Sequence, residues 1–404
     1  MLDTFLYFLI LLLLLLFFIK KKSNVLGLWL FGSFLTVAFF ALLLCVDDPF
    51  ADKDVSNIVF LPYLLLIVGY LLYSFPFLFS KEEFSASKVA PNLKKTYVFF
   101  AILYVFCSII VIYSSYSIVS FLVEFGDWEV SYREDSLVRY SNFIEYNSII
   151  FTNYTRILAF VVGFLMLRKG EKSSVIYIIA CCLILAASVT QIFNAIISTS
   201  RSMIFELIIL LPAMYLFFCR QIDKKINQII NILFVVIFFF ALYFFIDVTI
   251  SRFESRGTYD SVISYFGQAP IVFNTQMYGQ LDHFLWGEYT LGKLFENAGI
   301  VPASIGGLWD VRFYTFVGWL YVDWGGLGVV FFGVLLGLFF FFFIKKRKYD
   351  VSDLFLLFSY YTFLLKGVFV IGRSYIITIV STVVIYLLLK GFVDFFAESR
   401  KCKK

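Results

Sequence analysis

Three arginines share one kind of position in this chain. Arg201 (in Ser-Thr-Ser-Arg-Ser), Arg312 (in Asp-Val-Arg-Phe) and Arg373 (in Gly-Arg-Ser) each stand at the start of a long apolar run. If those runs are helices, each arginine lies beside a helix N-terminus, where unpaired amides and the macrodipole already favour negative charge. A guanidinium adds a planar fork that grips phosphate through two bonds. Arg252 and Arg256, in Ser-Arg-Phe-Glu-Ser-Arg-Gly, follow another apolar run on the same side. The chemistry to expect is recognition of a multiply charged anion, a diphosphate above all. For any one of these arginines alone the competing reading is a side chain that snorkels to lipid phosphate or pairs with a nearby acid.

Other residues could move protons or line a groove. His283 is the only histidine, in Gln-Leu-Asp-His-Phe-Leu-Trp-Gly-Glu-Tyr. It is either a solvated loop residue or a general base, because its pKa lies near working pH. Asp260 and Glu288 are rival bases, as are Asp282 and Asp323, and the sequence leaves the base unassigned. Arg156 falls about a third of the way into an apolar run. A guanidinium there is costly and must face the bundle interior, for function or in a buried pair, with Glu206 as a partner. Gln191 and Asn194 follow helical spacing and line either a substrate groove or a helix–helix contact. Lys366 is expected to snorkel outward. One histidine and no Cys-x-x-Cys leave no metal motif, so neither metal nor cofactor is expected. The six cysteines form no spaced pair in an outer loop, so no structural disulfide is expected.

The elements that must hold these residues are membrane helices. The chain is 61% hydrophobic and 21% aromatic, with a mean hydropathy of +0.91, too apolar to leave a soluble exterior. Eleven runs are long enough to cross: 2–19, 25–46, 57–79, 97–122, 146–167, 173–196, 203–219, 227–247, 313–343, 352–371 and 374–395. The ninth is long enough to tilt or to extend past the headgroups. Most of the 33 basic residues fall in alternate loops and the C-terminal tail, as in Lys20-Lys21-Lys22 and Lys345-Lys346-Arg347-Lys348. Acids such as Asp47, Asp48, Asp52 and Asp54 crowd the opposite loops. Positive charge marks the cytoplasmic side, so the N-terminus is outside and the C-terminus inside. The first run is read as a span rather than a cleaved signal, because its lysines follow the apolar stretch. The net charge of +5 is explained by topology and anionic lipid, not by nucleic acid. Residues 1–404 then form a single integral membrane domain, with outer loops at 123–145 and 248–312. Segments 259–266 and 281–296 of the larger loop are expected to be short helices lying at the interface.

Three stretches carry a resemblance to a family: Ser-Thr-Ser-Arg-Ser at 198–202, Tyr-Phe-Gly-Gln-Ala-Pro at 265–270, and Phe-Tyr-Thr…Asp-Trp-Gly-Gly-Leu-Gly at 313–328. Together with the layout, they resemble the bacterial oligosaccharide repeat-unit polymerases, the O-antigen polymerase type. Some members carry an Arg-x10-Gly motif, and Arg256 to Gly267 has that spacing. The related O-antigen ligases carry His-x10-Gly, but the residue eleven after His283 is Leu294.

The resemblance implies an all-α architecture of the GT-C-like glycosyltransferase kind in the bacterial inner membrane, with one large periplasmic loop. It implies glycosyl transfer between undecaprenyl-diphosphate-linked glycans, with loss of undecaprenyl diphosphate. Arg201, Arg256, Arg312 and Arg373 would hold the diphosphate, with Arg252 in a secondary place. Membrane lipids, a chain-length regulator and a flippase of the same pathway are the implied partners. The alternatives are the ligase and a flippase or transporter of lipid-linked glycan.

Overall fold

A computed structural model describes residues 1–47, 57–80, 95–125, 142–168, 174–197, 201–252, 258–279, 284–297, 315–345, 348–368 and 375–401. Helices make up nearly all of it. They are α1 (Leu2–Lys20), α2 (Val25–Asp47), α3 (Phe60–Phe79), α4 (Lys95–Phe125), α5 (Phe143–Met166), α6 (Ser174–Ile197) and α7 (Arg201–Phe218). There follow α8 (Lys224–Arg252), α9 (Thr258–Val272), α10 (Glu288–Asn297), α11 (Phe316–Ile344), α12 (Val351–Lys366) and α13 (Tyr375–Lys401). A helix satisfies its own amides, which is what an apolar surround demands. Among the described residues, nine helices are long and apolar enough to cross a membrane. Each of the eleven expected runs overlaps a described helix. The last two are α12, with 16 residues, and α13, whose apolar part is Tyr375–Gly391.

Two groups of helices are visible. α1, α2, α3 and α11 pack together, as do α4, α5, α6 and α7. α12 joins them, contacting α2, α5, α7 and α13. It is buried on every side, from Val351 to Leu365 apart from Leu356. A capping box starts it: Asp353 N–H donates to Asp350 Oδ1 at 2.8 Å, and Asp350 N–H donates back to Asp353 Oδ2 at 3.3 Å.

The structure corrects the sequence reading in three places. The expected ninth span is not one long crossing. Gly325 adopts φ 64° and ψ −170°, conformations that glycine alone takes without a steric penalty, and the helix reverses there. Tyr73 touches both arms: its ring meets Phe316 at 5.0 Å and its hydroxyl donates to Val329 O at 3.3 Å. Residues 316–324 therefore form a short arm folded back beside 326–344, and only the second arm, about 28 Å long, can cross alone. The short arm abuts α12 end to end, with Phe316 N–H donating to Gly367 O at 2.7 Å.

The second correction concerns the large loop. α9 does not lie on an interface. Ile263, Tyr265, Ala269 and Ile271 are all buried, and α9 packs along α2. Gly267 permits the approach, since a Cβ there would lie 2.5 Å from Phe40 O. Beyond a π-helical turn at Phe273–Met277, Asn274 ties the segment to α3, donating to Val59 O at 2.7 Å and accepting from Val59 N–H at 3.1 Å. The loop between α8 and α11 thus sends one helix down into the bundle. The third correction is Lys366, which points inward, as described next.

Candidate functional site

The polar residues of α5, α7, α12 and α13 converge. Arg156 of α5 donates from a terminal guanidinium nitrogen to Glu206 Oε1 of α7, forming an ion pair. The arginine side chain is 13% exposed and the glutamate 1%. α12 presents Ser359, Thr362 and Lys366, and α13 presents Tyr375, Thr378 and Thr382. In each triplet the spacing of three and then four residues places all members on one helix face. The two faces meet Asn153, Tyr154, Ile157, Arg156 and Glu206 around a cavity of about 60 Å³.

Lys366 does not snorkel outward. Its ammonium stands 5.4 Å from the centre of the Tyr375 ring, in the wall of this cavity. The physical reason is length: α12 ends at the short arm of α11, inside the bundle, so its last residue has an interior neighbourhood. Thr362 Oγ1 donates to Phe358 O at 2.8 Å. Ser359 is buried, and its hydroxyl has no partner among the described residues, nor does Nε of Arg156. In ordinary charge states the cavity holds two cations and one carboxylate, an excess of positive charge.

A second space adjoins the first. A groove of about 380 Å³ runs between α11, α12 and α13. Ser359, Tyr375, Thr378 and Thr382 line both spaces, so the polar cavity and the groove share a wall. Away from that wall the groove is aromatic and aliphatic, with Trp319, Phe332, Leu336, Phe340 and Ile379 among its lining. Its rim residues Phe339 and Leu387 are 53% and 59% exposed, so it opens on the flank of the bundle. The combination suits an amphiphile with an anionic head and a long apolar tail.

The other candidates from the sequence fall as follows. Gln191 Nε2 donates to Met203 O of α7 at 2.7 Å, and Asn194 Nδ2 donates to Asn153 Oδ1 of α5 at 2.8 Å. Both bonds join helices, which favours the interhelical reading of that face. Glu288 is exposed at the start of α10. Asp323 is fully buried and accepts from Tyr289 N–H at 2.9 Å, Thr290 N–H at 2.7 Å and the Thr290 hydroxyl. That carboxylate anchors the start of α10. Arg256, Arg312, Arg373 and His283 lie outside the described residues, as do the side chains of Arg201, Arg252 and Asp260.

Sequence reasoning found Arg156 and its partner from the cost of burying a charge. It missed Lys366, Ser359, Thr378 and Thr382, although hydroxyls at matched helical spacing in two apolar runs were a usable signal. By composition and by the helices of its described residues, the chain is of the multi-pass membrane class. No family model, curated protein or solved structure matches it.

Proposed function

We propose that this protein polymerises undecaprenyl-diphosphate-linked oligosaccharide repeat units at the outer face of the bacterial inner membrane. The growing glycan is transferred from its diphosphate carrier to a lipid-linked repeat unit, and undecaprenyl diphosphate leaves. The reading takes eleven crossings with the N-terminus outside and the C-terminus inside. The observation that carries it is the shared wall between a cationic cavity and a flank-opening apolar groove. An isoprenoid diphosphate has matching parts, and guanidiniums would stabilise the charge that develops as the sugar departs.

Purified protein supplied with a lipid-linked repeat unit should yield a ladder of products. Arg201→Ala, Arg312→Ala and Arg373→Ala should each abolish the ladder at normal protein level and insertion. Arg→Lys should restore little, because the planar fork is lost. Full-length glycan from all three alanine variants would remove the diphosphate reading.

A second reading, transport of the lipid-linked glycan, is favoured by two specific features. The Arg156–Glu206 pair lies between helices, and α11 reverses within the bundle, as discontinuous helices do in transporters. Movement of the unit across proteoliposomes without chain growth would decide for it.

A further inference from the structure

We propose that Arg156, Lys366 and Ser359 form a phosphate subsite, and that Glu206 is a built-in stand-in for the ligand's anion within it. This rests on the reading of the site as one for an isoprenoid diphosphate. Three donors converge on the cavity: a guanidinium, an ammonium and a hydroxyl. One carboxylate answers them. Glu206 takes a terminal nitrogen of Arg156, while Nε of Arg156 and Oγ of Ser359 have no partner among the described residues. Among those residues Lys366 makes no ion pair; its contact is the face of Tyr375. A buried hydroxyl without a partner and a guanidinium only partly used are what a polar ligand would complete.

A shared donor separates the ligand and the carboxylate in time. Glu206 Oε1 already takes a terminal nitrogen of Arg156, and a phosphate gripped through both terminal nitrogens of the guanidinium needs that same nitrogen. Ligand and Glu206 therefore compete for it. Binding in that mode moves the carboxylate aside, and the phosphate replaces it on the guanidinium. The exchange keeps Arg156 neutralised throughout, which a buried cation requires. Glu206 thus sets the affinity: it competes with substrate for Arg156 and helps expel the diphosphate product.

The test is equilibrium binding of undecaprenyl diphosphate to the full-length protein in nanodiscs, with undecaprenol and phosphatidylglycerol as comparison lipids. Removing the competing charge in Glu206→Gln should tighten binding of undecaprenyl diphosphate about tenfold, through slower release. Undecaprenol should be unaffected, and the gain should vanish in the double variant Arg156→Gln/Glu206→Gln. An unchanged or weaker Kd in Glu206→Gln, with wild type binding normally, would overturn the inference and mark Glu206 as a purely structural partner. An equal gain for phosphatidylglycerol would also overturn it, assigning the subsite to bulk headgroups. No binding by wild type would instead reject the reading of the site itself. Glu206→Asp covers the case in which Glu206→Gln folds poorly. It keeps the charge but shortens the reach to Arg156, so it should tighten binding in the same direction by a smaller factor, and an unchanged Kd there counts against the inference.

Discussion

Asp323→Asn should release α10 from the bundle without unfolding the protein. Asp323 Oδ1 accepts from Tyr289 N–H, and Oδ2 accepts from both the N–H and the hydroxyl of Thr290. An asparagine has one acceptor oxygen. Placed to serve Thr290, it turns its own NH2 toward the N–H of Tyr289, donor against donor. At least one bond to a charged acceptor is lost, at about 1.5–3 kcal/mol. α10 has ten residues and depends on its docking, so the loss falls on local opening rather than on global stability. Opening should become roughly ten- to a hundredfold more frequent. Hydrogen exchange over residues 284–297 reads this directly, with α12 as an internal reference that should not change. Asp323→Ala, which orphans all three donors, should accelerate exchange further. If Asp323→Asn exchanges like wild type, α10 is held by other contacts and the anchoring role assigned to Asp323 is wrong.

Two further outcomes are expected. Gly267→Ala must push α9 away from the Phe40 backbone by roughly 1 Å to reach ordinary contact, at about 1–3 kcal/mol, and should lower the Tm in detergent; an unaltered Tm would refute the close approach. At the start of α12, burial alone would raise the Asp350 carboxyl, but hydrogen bonds from Lys390, Ser352 and the Asp353 N–H outweigh it and hold the group below its ordinary value. Its contribution is therefore present above the unfolded pKa of about 3.9 and is lost as pH falls through the lower folded value. The Tm difference between wild type and Asp350→Asn should shrink as pH drops from about 5 to about 3, and a constant difference would contradict the assignment.

The sequence made the helices legible because crossing a bilayer demands about 20 apolar residues, a requirement that composition alone satisfies or fails. Arg156 was legible for a related reason: a charge in an apolar run needs a partner, and Glu206 is one. The reversal at Gly325 was not legible. Trp324-Gly325-Gly326 lies inside one long apolar run, and an average over hydropathy carries no backbone angle. α9 was placed at an interface because its mixed composition resembles a surface helix; its burial follows from the fit of Gly267 against α2, a property of two segments over 200 residues apart. Lys366 was misplaced because an apolar run gives the length of a helix, not the depth at which that helix stops.

A groove with its mouth on the flank of the bundle recruits from the plane of the bilayer rather than from water. For an occupant that never leaves the leaflet, encounter is a two-dimensional search, and the quantity that governs occupancy is surface density. Dilution of the sample would then leave loading unaltered, while dilution of the carrier with inert lipid would reduce it. Ordinary acyl chains, present in vast excess, would be the standing rivals for the same space, which leaves discrimination to the charged chamber at the groove's end.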